Sequence, residues 1–107
     1  MITYSEIRDL AEKDRIAFKK HAVLRMHQRK ILADEVREVL LRSEVVENYP
    51  RDRPFPSYLV LGYTKRGRPL HAVVAVDVEE PILWVITLYE PNLEEWQEGF
   101  KKRRKSR

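Results

Sequence analysis

The stretch of sequence that decides the fold is residues 57–89, SYLVLGYTKRGRPLHAVVAVDVEEPILWVITLY. β-branched and aromatic residues dominate it, and apolar residues recur with the period of two that is typical of strands. Two turn segments interrupt the pattern, at residues 65–68 and 79–81, and Gly67 suits a left-handed turn position. We therefore predict two consecutive hairpins, with strands at residues 57–64, 69–78 and 82–89.

The sequence before residue 57 predicts three helices and one more strand. Helical periodicity predicts helices at about residues 4–13, 17–29 and 33–42, the first of which begins with a capping box of Thr3 and Glu6. Residues 45–49, VVENY, predict a short strand. The segment at 50–56 holds three prolines and predicts an extended connector, because proline fixes φ and donates no ladder hydrogen bond.

After the last strand, residues 91–95, PNLEE, predict the start of a further helix, which carries Trp96 and Phe100. The whole pattern predicts an α+β fold, in which N-terminal helices pack on a four-stranded antiparallel sheet with a C-terminal helix. The 107 residues suffice for one domain. We expect this domain to span residues 1–100 and a basic C-terminal tail to span residues 101–107.

The composition excludes several kinds of site. Because the chain has no cysteine, disulfides, thiolate zinc sites and cysteine nucleophiles are excluded. The three histidines lack the spacing of metal ligands and the three glycines form no phosphate-binding loop, so we expect neither a metal nor a cofactor. No apolar run approaches the roughly 18 residues that a membrane span needs, and the N-terminus lacks the pattern of a signal peptide. We therefore expect a cytoplasmic protein that does not enter a membrane.

Positive charge is concentrated in two segments. Residues 15–33 and residues 99–107 carry six bases each and no acid, whereas the rest of the chain carries 9 bases against 17 acids. The net charge of +4 thus hides an acidic body with two basic regions. Such regions favour a polyanionic partner such as RNA. A basic run at a chain end is also typical of a solvated tail or of a complement to a helix C-terminus.

The internal basic segment places candidate catalytic side chains on one helix edge. His21, Arg25 and Arg29 follow one another at intervals of four residues, which puts them on the same side of an α-helix. An arginine suits bidentate phosphate binding, and a histidine can move protons near neutral pH. Together these groups can cleave a phosphodiester without a metal. The alternative is that His21 packs at the helix edge while the arginines pair with neighbouring acids.

A second group of candidates lies in the predicted hairpins. His71 follows Arg68 at the rim of the sheet. Thr87 and Tyr89 share a face of the last strand, and simple alternation assigns Leu83 and Val85 to that face as well. Whether Thr87 and Tyr89 share the face of His71 depends on the register of the hairpin, which the sequence leaves open. If they do, Arg68, His71, Thr87 and Tyr89 cluster; otherwise they are ordinary strand residues.

One set of motifs, spread over about residues 17–103, is more specific than any of its members. It consists of His21-x-x-x-Arg25-x-x-x-Arg29, Glu47-x-Tyr49-Pro50, Pro56-Ser57, Leu61-Gly62, Gly67-Arg68-Pro69-Leu70-His71 and Ile86-Thr87-x-Tyr89-x-Pro91, followed by Trp96. In this set the chain resembles the domain-of-unknown-function 4258 family. It departs from that family at Gln28, where the family has a glutamate that could serve as a base.

The resemblance implies kinship with the RelE-like and BrnT-like toxins and a RelE-like fold of the BECR type. It implies a metal-independent endoribonuclease of the mRNA-interferase type, in a prokaryotic toxin–antitoxin system. His21, His71 and Arg25 would then be catalytic, and four matched positions would bind substrate: Arg29, Arg68, Thr87 and Tyr89. The expected partners are RNA, including ribosome-bound mRNA, and an antitoxin protein, with a homodimer left open. The alternative is a non-catalytic module that binds RNA or a protein on the same fold.

Overall fold

The computed structural model describes residues 4–105, and in that range it contains three helices and five strands. In chain order these elements are α1 (Tyr4–Glu12), β1 (Ile16–Phe18), α2 (Lys20–Arg29), α3 (Ala33–Leu41), β2 (Glu44–Tyr49), β3 (Ser57–Tyr63), β4 (Pro69–Asp77) and β5 (Ile82–Tyr89). The capping box predicted at Thr3 lies outside the described residues. None of the helices in this range is long and apolar enough to cross a membrane.

The strands predicted within residues 57–89 form the centre of the sheet. The strand order is β1-β5-β4-β3-β2, so the predicted hairpins β3–β4 and β4–β5 are confirmed. β2 pairs antiparallel with β3, whereas β1 pairs parallel with β5. The prediction of a four-stranded antiparallel sheet is therefore wrong, because the sheet has five strands and is mixed.

The additional strand, β1, occupies residues that we predicted as the start of the second helix. The backbone on both sides of it is tied to β5: Leu83 N–H donates to Arg15 O (2.9 Å) and Lys19 N–H donates to Val85 O (2.9 Å). A strand of three residues carries too short a pattern to be distinguished from a helix start. Its parallel partner lies far away in the sequence, and the second helix begins only at Lys20.

The predicted C-terminal helix is also wrong, since no helix follows β5 in the part of the chain described. Residues 90–105, which we call the C-terminal loop, fold back on themselves. Gln97 N–H donates to Lys102 O (2.8 Å) and Arg104 N–H donates to Glu95 O (2.9 Å). The chain reverses at Gly99 (φ 91°) and Phe100 (φ 60°), whose left-handed backbone ends any helical continuation.

The three helices pack on one face of the sheet. The apolar core there includes alternate side chains of β4, namely Leu70, Ala72, Val74 and Val76. α3 approaches β3 closely at Gly62, where an added Cβ would lie 2.7 Å from Val39 Cγ1. The glycine is therefore required by the packing of the helix on the sheet.

A β-bulge in β5 changes which side chains share a face. Val73 pairs with Thr87 while Val74 pairs with Val85, so Ile86 has no partner across the hairpin. The bulge shifts the alternation by one residue. Leu83 and Val85 consequently point into the helix-side core, and the prediction that they share a face with Thr87 and Tyr89 is wrong.

Candidate active site on the open face of the sheet

The face of the sheet that the helices leave uncovered carries a cluster of polar side chains. His71 pairs with Tyr89 across β4 and β5, so the two share this face, and Thr87 joins them one row away. On β2, Glu47 pairs with Leu59 and Tyr49 pairs with Ser57, which places their side chains on the same face. We call Glu47, Tyr49, His71, Tyr89 and Arg103 the sheet-face cluster.

Glu47 is the centre of this cluster. Its carboxylate accepts two hydrogen bonds from Arg103, from Nε to Oε2 (2.8 Å) and from Nη2 to Oε1 (3.1 Å). The hydroxyl of Tyr49 donates a third, to Oε1 (2.6 Å). The hydrogen bond from Arg103 lowers the pKa of Glu47, and the one from Tyr49 adds to that effect. Glu47 is therefore ionised at neutral pH, and its side chain keeps 28% of its surface exposed.

Arg103 reaches Glu47 from the C-terminal loop. Its guanidinium carbon lies 4.6 Å from the centre of the buried Trp96 ring, in a cation–π contact. The hydrogen bonds to Glu47 raise the pKa of Arg103, which stays charged. The side chain is 55% exposed. Arg103 thus combines a fixed position with access to solvent, as a ligand for an incoming phosphate requires.

His71 lies beneath this pair and is fully buried, at 0% exposure. Its Nε2 is 2.8 Å from the carbonyl oxygen of Phe100, so Nε2 carries the proton and donates it. Nδ1 then accepts a hydrogen bond from the Tyr89 hydroxyl (3.0 Å). The ring also meets Trp96 edge to face, with centroids 4.4 Å apart. Both ring nitrogens are therefore engaged by the protein itself.

Burial sets the protonation states around His71. Desolvation lowers the pKa of His71, so the imidazole is neutral at physiological pH. Burial also raises the pKa of Tyr89 to about 12. For Tyr49, burial and the neighbouring Glu47 both raise the pKa. The cluster at neutral pH thus consists of an ionised carboxylate, a guanidinium, two protonated phenols and a neutral imidazole.

The candidates on the helix edge lie elsewhere. His21, Arg25 and Arg29 belong to α2, which packs through Ala22 and Met26 on the opposite face of the sheet from His71. His21 and Arg29 are exposed and Arg25 is half-buried. In the described part of the chain, no base of α2 forms an ion pair with an acid. The structure therefore separates His21 from His71 by the sheet, and leaves the basic edge open.

Arg68 joins the end of α2 instead of the sheet-face cluster. Its guanidinium donates to the backbone oxygens of Arg29 (3.0 Å) and Lys30 (3.3 Å), which end the helix. Its Nε donates to the carboxylate of Glu90 (2.6 Å). Of the four residues predicted to converge if the register allowed it, His71, Thr87 and Tyr89 share a face, whereas Arg68 serves as a cap for the α2 carbonyls.

Three members of the cluster were not predicted from the sequence as site residues: Glu47, Tyr49 and Arg103. The first two were visible only as part of the motif Glu47-x-Tyr49, whose spacing of two places both on one face of a strand. Arg103 fell in the predicted tail. In the structure, residues 101–104 are bonded to the domain: Lys101 pairs with Glu44 (3.0 Å), and Arg104 donates to the carbonyl oxygen of Leu93.

The comparisons with known proteins bear on the family alone. The model of the family described as Domain of unknown function (DUF4258) matches residues 18–90, which include α2 and the strands β2 to β5 but end before Arg103. No curated protein and no solved structure matches the chain. Kinship with the RelE-like and BrnT-like toxins stays a prediction. Among residues 4–105, no three His, Asp or Glu side chains are placed to hold a metal ion.

Proposed function

The chain belongs to the family described as Domain of unknown function (DUF4258), and we propose that it is a toxin-like endoribonuclease that cleaves RNA at the sheet-face cluster without a metal. The observation that carries the proposal is the Glu47 carboxylate, held on an open face by the Arg103 guanidinium and the Tyr49 hydroxyl. Cleavage by the 2′-hydroxyl needs a base, a cation for the phosphate and an acid. These three side chains supply all of them.

In the proposed reaction, Glu47 takes the proton of the 2′-hydroxyl, whose oxygen forms a bond to the adjacent phosphorus. The bond from phosphorus to the 5′-oxygen breaks, and Tyr49 gives its proton to that oxygen. Arg103 binds the non-bridging phosphate oxygens and stabilises the charge that develops on them. The products are an RNA end with a 2′,3′-cyclic phosphate and one with a 5′-hydroxyl.

The ion pair of Glu47 and Arg103 links phosphate binding to the basicity of Glu47. The hydrogen bond from Arg103 is the main cause of the lowered pKa of Glu47. When a phosphate draws Arg103 away, that pKa rises and the carboxylate becomes a stronger base. The raised pKa of Tyr49 keeps its proton in place until the 5′-oxygen leaves.

The residues predicted as catalytic take other roles in this proposal. His71 is a positioning residue, because its ring holds the Tyr89 hydroxyl and the backbone of Phe100. Tyr89 and Thr87 line the face on which the RNA lies. Proton transfer moves from His21 to Glu47, since His21 is on the far side of the sheet. The basic edge of α2, with Arg25 and Arg29, binds RNA phosphates outside the reaction site.

A second function is favoured by one observation: within the described residues, the bases of α2 pair with no acid. On this alternative the protein holds RNA or an acidic partner through that edge and performs no chemistry. Substituting Arg25 and Arg29 would then abolish the binding of RNA or of the acidic partner, and Glu47→Gln would leave that binding unchanged. The antitoxin that the resemblance implies, and the homodimer that the sequence leaves open, stay proposals.

The experiment that tests the proposal is cleavage of an end-labelled pool of single-stranded RNA in the presence of EDTA, with ribosome-bound mRNA as a second substrate. Glu47→Gln should slow cleavage by about 100-fold or more, as loss of a general base does. Glu44→Gln is the matched control, because Glu44 lies on the same strand and also pairs with the C-terminal loop. A DNA pool of the same sequences should stay intact, since it lacks the 2′-hydroxyl.

Two results would overturn the proposal. One is a folded wild-type protein that cleaves neither substrate. The other is a folded Glu47→Gln variant that cleaves at the wild-type rate.

A further inference from the structure

A groove lies on the open face of the sheet beside the sheet-face cluster. Its lining includes Lys19, Asp52, Arg53, Phe55, Asp77 and Trp84. Trp84 pairs with Ala75, Ala75 pairs with Ser57, and Ser57 pairs with Tyr49, so Trp84 and Tyr49 belong to one row across the sheet. The groove and the proposed reaction site therefore share a surface.

Two aromatic side chains line the groove. The half-buried indole of Trp84 forms one side, and the half-buried Phe55, from the proline-rich connector before β3, lines it as well. The small side chain of Ala75 also lines the groove. The ammonium of the exposed Lys19 lies over the Trp84 ring, 4.2 Å from its centre, so a base that stacks on this ring face takes the place of the ammonium. An aromatic surface beside cations is the arrangement on which nucleobases of single-stranded RNA stack.

The charged groups of the groove match the remaining parts of a nucleotide. Lys19 and Arg53 are exposed cations that can bind phosphate. Asp77 uses Oδ1 to accept the backbone N–H groups of Glu79 (3.1 Å) and Glu80 (3.2 Å), and no described residue donates to its Oδ2. Asp52 likewise binds the Ser57 hydroxyl through one oxygen. Each carboxylate thus keeps an oxygen that can accept an N–H from a base edge.

Among the four bases, guanine presents two adjacent N–H donors, at N1 and at the 2-amino group, and the single free oxygen of a carboxylate can accept both of them. The strands of Trp84 and Tyr49 are three inter-strand spacings apart, about 14 Å. A base in the groove and a phosphate at Arg103 therefore belong to near neighbours in one RNA strand. We propose that the groove is a guanine subsite that selects where RNA is cut. The role in selecting the cut rests on the proposed cleavage, whereas the binding of guanine does not.

The binding is tested by titrating the full chain with 5′-GMP, 5′-AMP, 5′-CMP and 5′-UMP while following tryptophan fluorescence. Of the two tryptophans, Trp84 lines the groove, and Trp96 is buried at 1% exposure. We expect saturable quenching, tightest with 5′-GMP. Trp84→Leu should weaken binding of 5′-GMP about 10-fold or more, as loss of base stacking does; because the fluorophore is lost, that affinity is measured by calorimetry.

Two further variants make the test specific. Phe55→Ala removes one side of the groove without altering a strand, so it keeps the test valid if Trp84→Leu fails to fold. Asp77→Asn should reduce the preference for 5′-GMP over 5′-AMP, because the amide oxygen stays on the backbone N–H groups of Glu79 and Glu80 and an NH2 donor replaces the free oxygen. The inference is overturned if no mononucleotide binds, or if folded Trp84→Leu and Phe55→Ala variants bind 5′-GMP as the wild type does.

The outcomes separate this inference from the proposed function. Binding of 5′-GMP by a protein that cleaves no RNA would support the subsite and overturn the cleavage. Cleavage with no preference for guanine near the cut, unchanged in Phe55→Ala, would overturn the subsite and support the cleavage. Glu47→Gln should bind 5′-GMP normally, since Glu47 does not line the groove.

Discussion

The guanidinium of Arg103 forms two hydrogen bonds to the carboxylate of Glu47, at 2.8 and 3.1 Å, and so ties the C-terminal loop to the edge strand β2. The same loop covers His71 through Trp96 and through the carbonyl oxygen of Phe100. One segment therefore completes the proposed reaction site and covers the part of the second sheet face around His71. Changes to this segment should affect both activity and stability.

Deletion of residues 101–107 tests that dual role. On the sequence alone, we expect this deletion to weaken RNA affinity and to leave the chemistry intact. The structure predicts instead that cleavage is abolished, because Arg103 is removed, and that the melting temperature falls, because the backbone hydrogen bond from Arg104 to Glu95 is removed as well. Thermal unfolding and the cleavage assay measure the two effects.

The control for the deletion is the double variant Lys102→Gln/Lys105→Gln. It removes positive charge from the same segment, and it keeps the backbone bond from Gln97 to Lys102 as well as the side chain of Arg103. This variant should unfold and cleave as the wild type does, with weaker binding at high salt. Equal losses of melting temperature and of cleavage rate in the control and in the deletion would mean that only the charge of the segment matters.

Arg103→Lys should move the acid limb of the pH profile of kcat/KM, which reports the free protein, to higher pH. A lysine cannot donate the paired hydrogen bonds that are the largest cause of the lowered pKa of Glu47, so that pKa rises toward its ordinary value of 4.5. The carboxylate must be ionised to act as a base, and activity then disappears at a higher pH as the pH falls. Lys101→Gln is the control, because Lys101 pairs with Glu44. A shared acid limb in the two variants would contradict the role of Arg103.

His71 makes the stability of the fold depend on pH. Burial holds its pKa below the ordinary 6.5, so below about pH 6.5 the unfolded chain binds a proton that the folded protein does not. The free energy of unfolding should therefore decrease as the pH falls below 6.5, by at most about 1.4 kcal/mol per pH unit. The lowered pKa of Glu47 acts separately, below its ordinary 4.5.

Chemical denaturation of His71→Gln between pH 7 and pH 5 measures this contribution. The variant should be less stable than the wild type at pH 7, by about 1–3 kcal/mol, because a buried hydroxyl or carbonyl loses its partner. Its stability should also change less with pH. The exposed His27 provides the control, and His27→Asn should keep the wild-type slope. A wild-type slope in His71→Gln would show that other groups cause the pH dependence.

The pairing of β3, β4 and β5 could be predicted because each strand carries its own pattern and the turns between them are short. β1 could not be predicted, since its partner strand β5 lies far along the chain. The bulge at Ile86 could not be located either, because a single unpaired residue leaves the composition of a strand unchanged. Asn92 and Glu95 do form a cap, in which the Asn92 side chain accepts the N–H of Glu95 (2.9 Å), but the helix it starts is ended within one turn.

The same limits explain what was predicted of the site. His71, Thr87 and Tyr89 were identified on local patterns, and their common face depended on a register that only the structure supplies. Glu47 and Arg103 are far apart in the sequence, and each alone is an ordinary charged residue. Their pairing forms because the C-terminal loop folds back onto β2. No local pattern in the sequence indicates this tertiary contact.

Gly62 should tolerate no larger residue. In Gly62→Ala the new Cβ would press against the carbonyl oxygen of Val39 and lie 2.7 Å from its Cγ1, so α3 must move away from β3. We expect a loss of about 1–3 kcal/mol in the free energy of unfolding, as overpacking in a core costs. Gly67→Asn is the control: no atom lies within 4 Å of its Cβ position, and asparagine tolerates the φ of 84°. Denaturant titration of both variants should give a clearly larger loss for Gly62→Ala.

The basic edge of α2 and the sheet-face cluster should contribute to different steps of RNA cleavage. Arg25→Gln/Arg29→Gln removes two exposed or half-exposed cations that have no ion-pair partner in the described residues. RNA affinity should therefore weaken, and the slope of log affinity against log salt should decrease by up to about 0.7 for each phosphate that the variant no longer neutralises. The rate at saturating RNA should stay close to that of the wild type.

His21→Asn should change neither the RNA affinity nor the saturated rate greatly, because His21 lies on the opposite side of the sheet from Glu47. A collapse of the saturated rate in His21→Asn would instead place proton transfer on α2, as the sequence predicts, and would remove Glu47 from its proposed role.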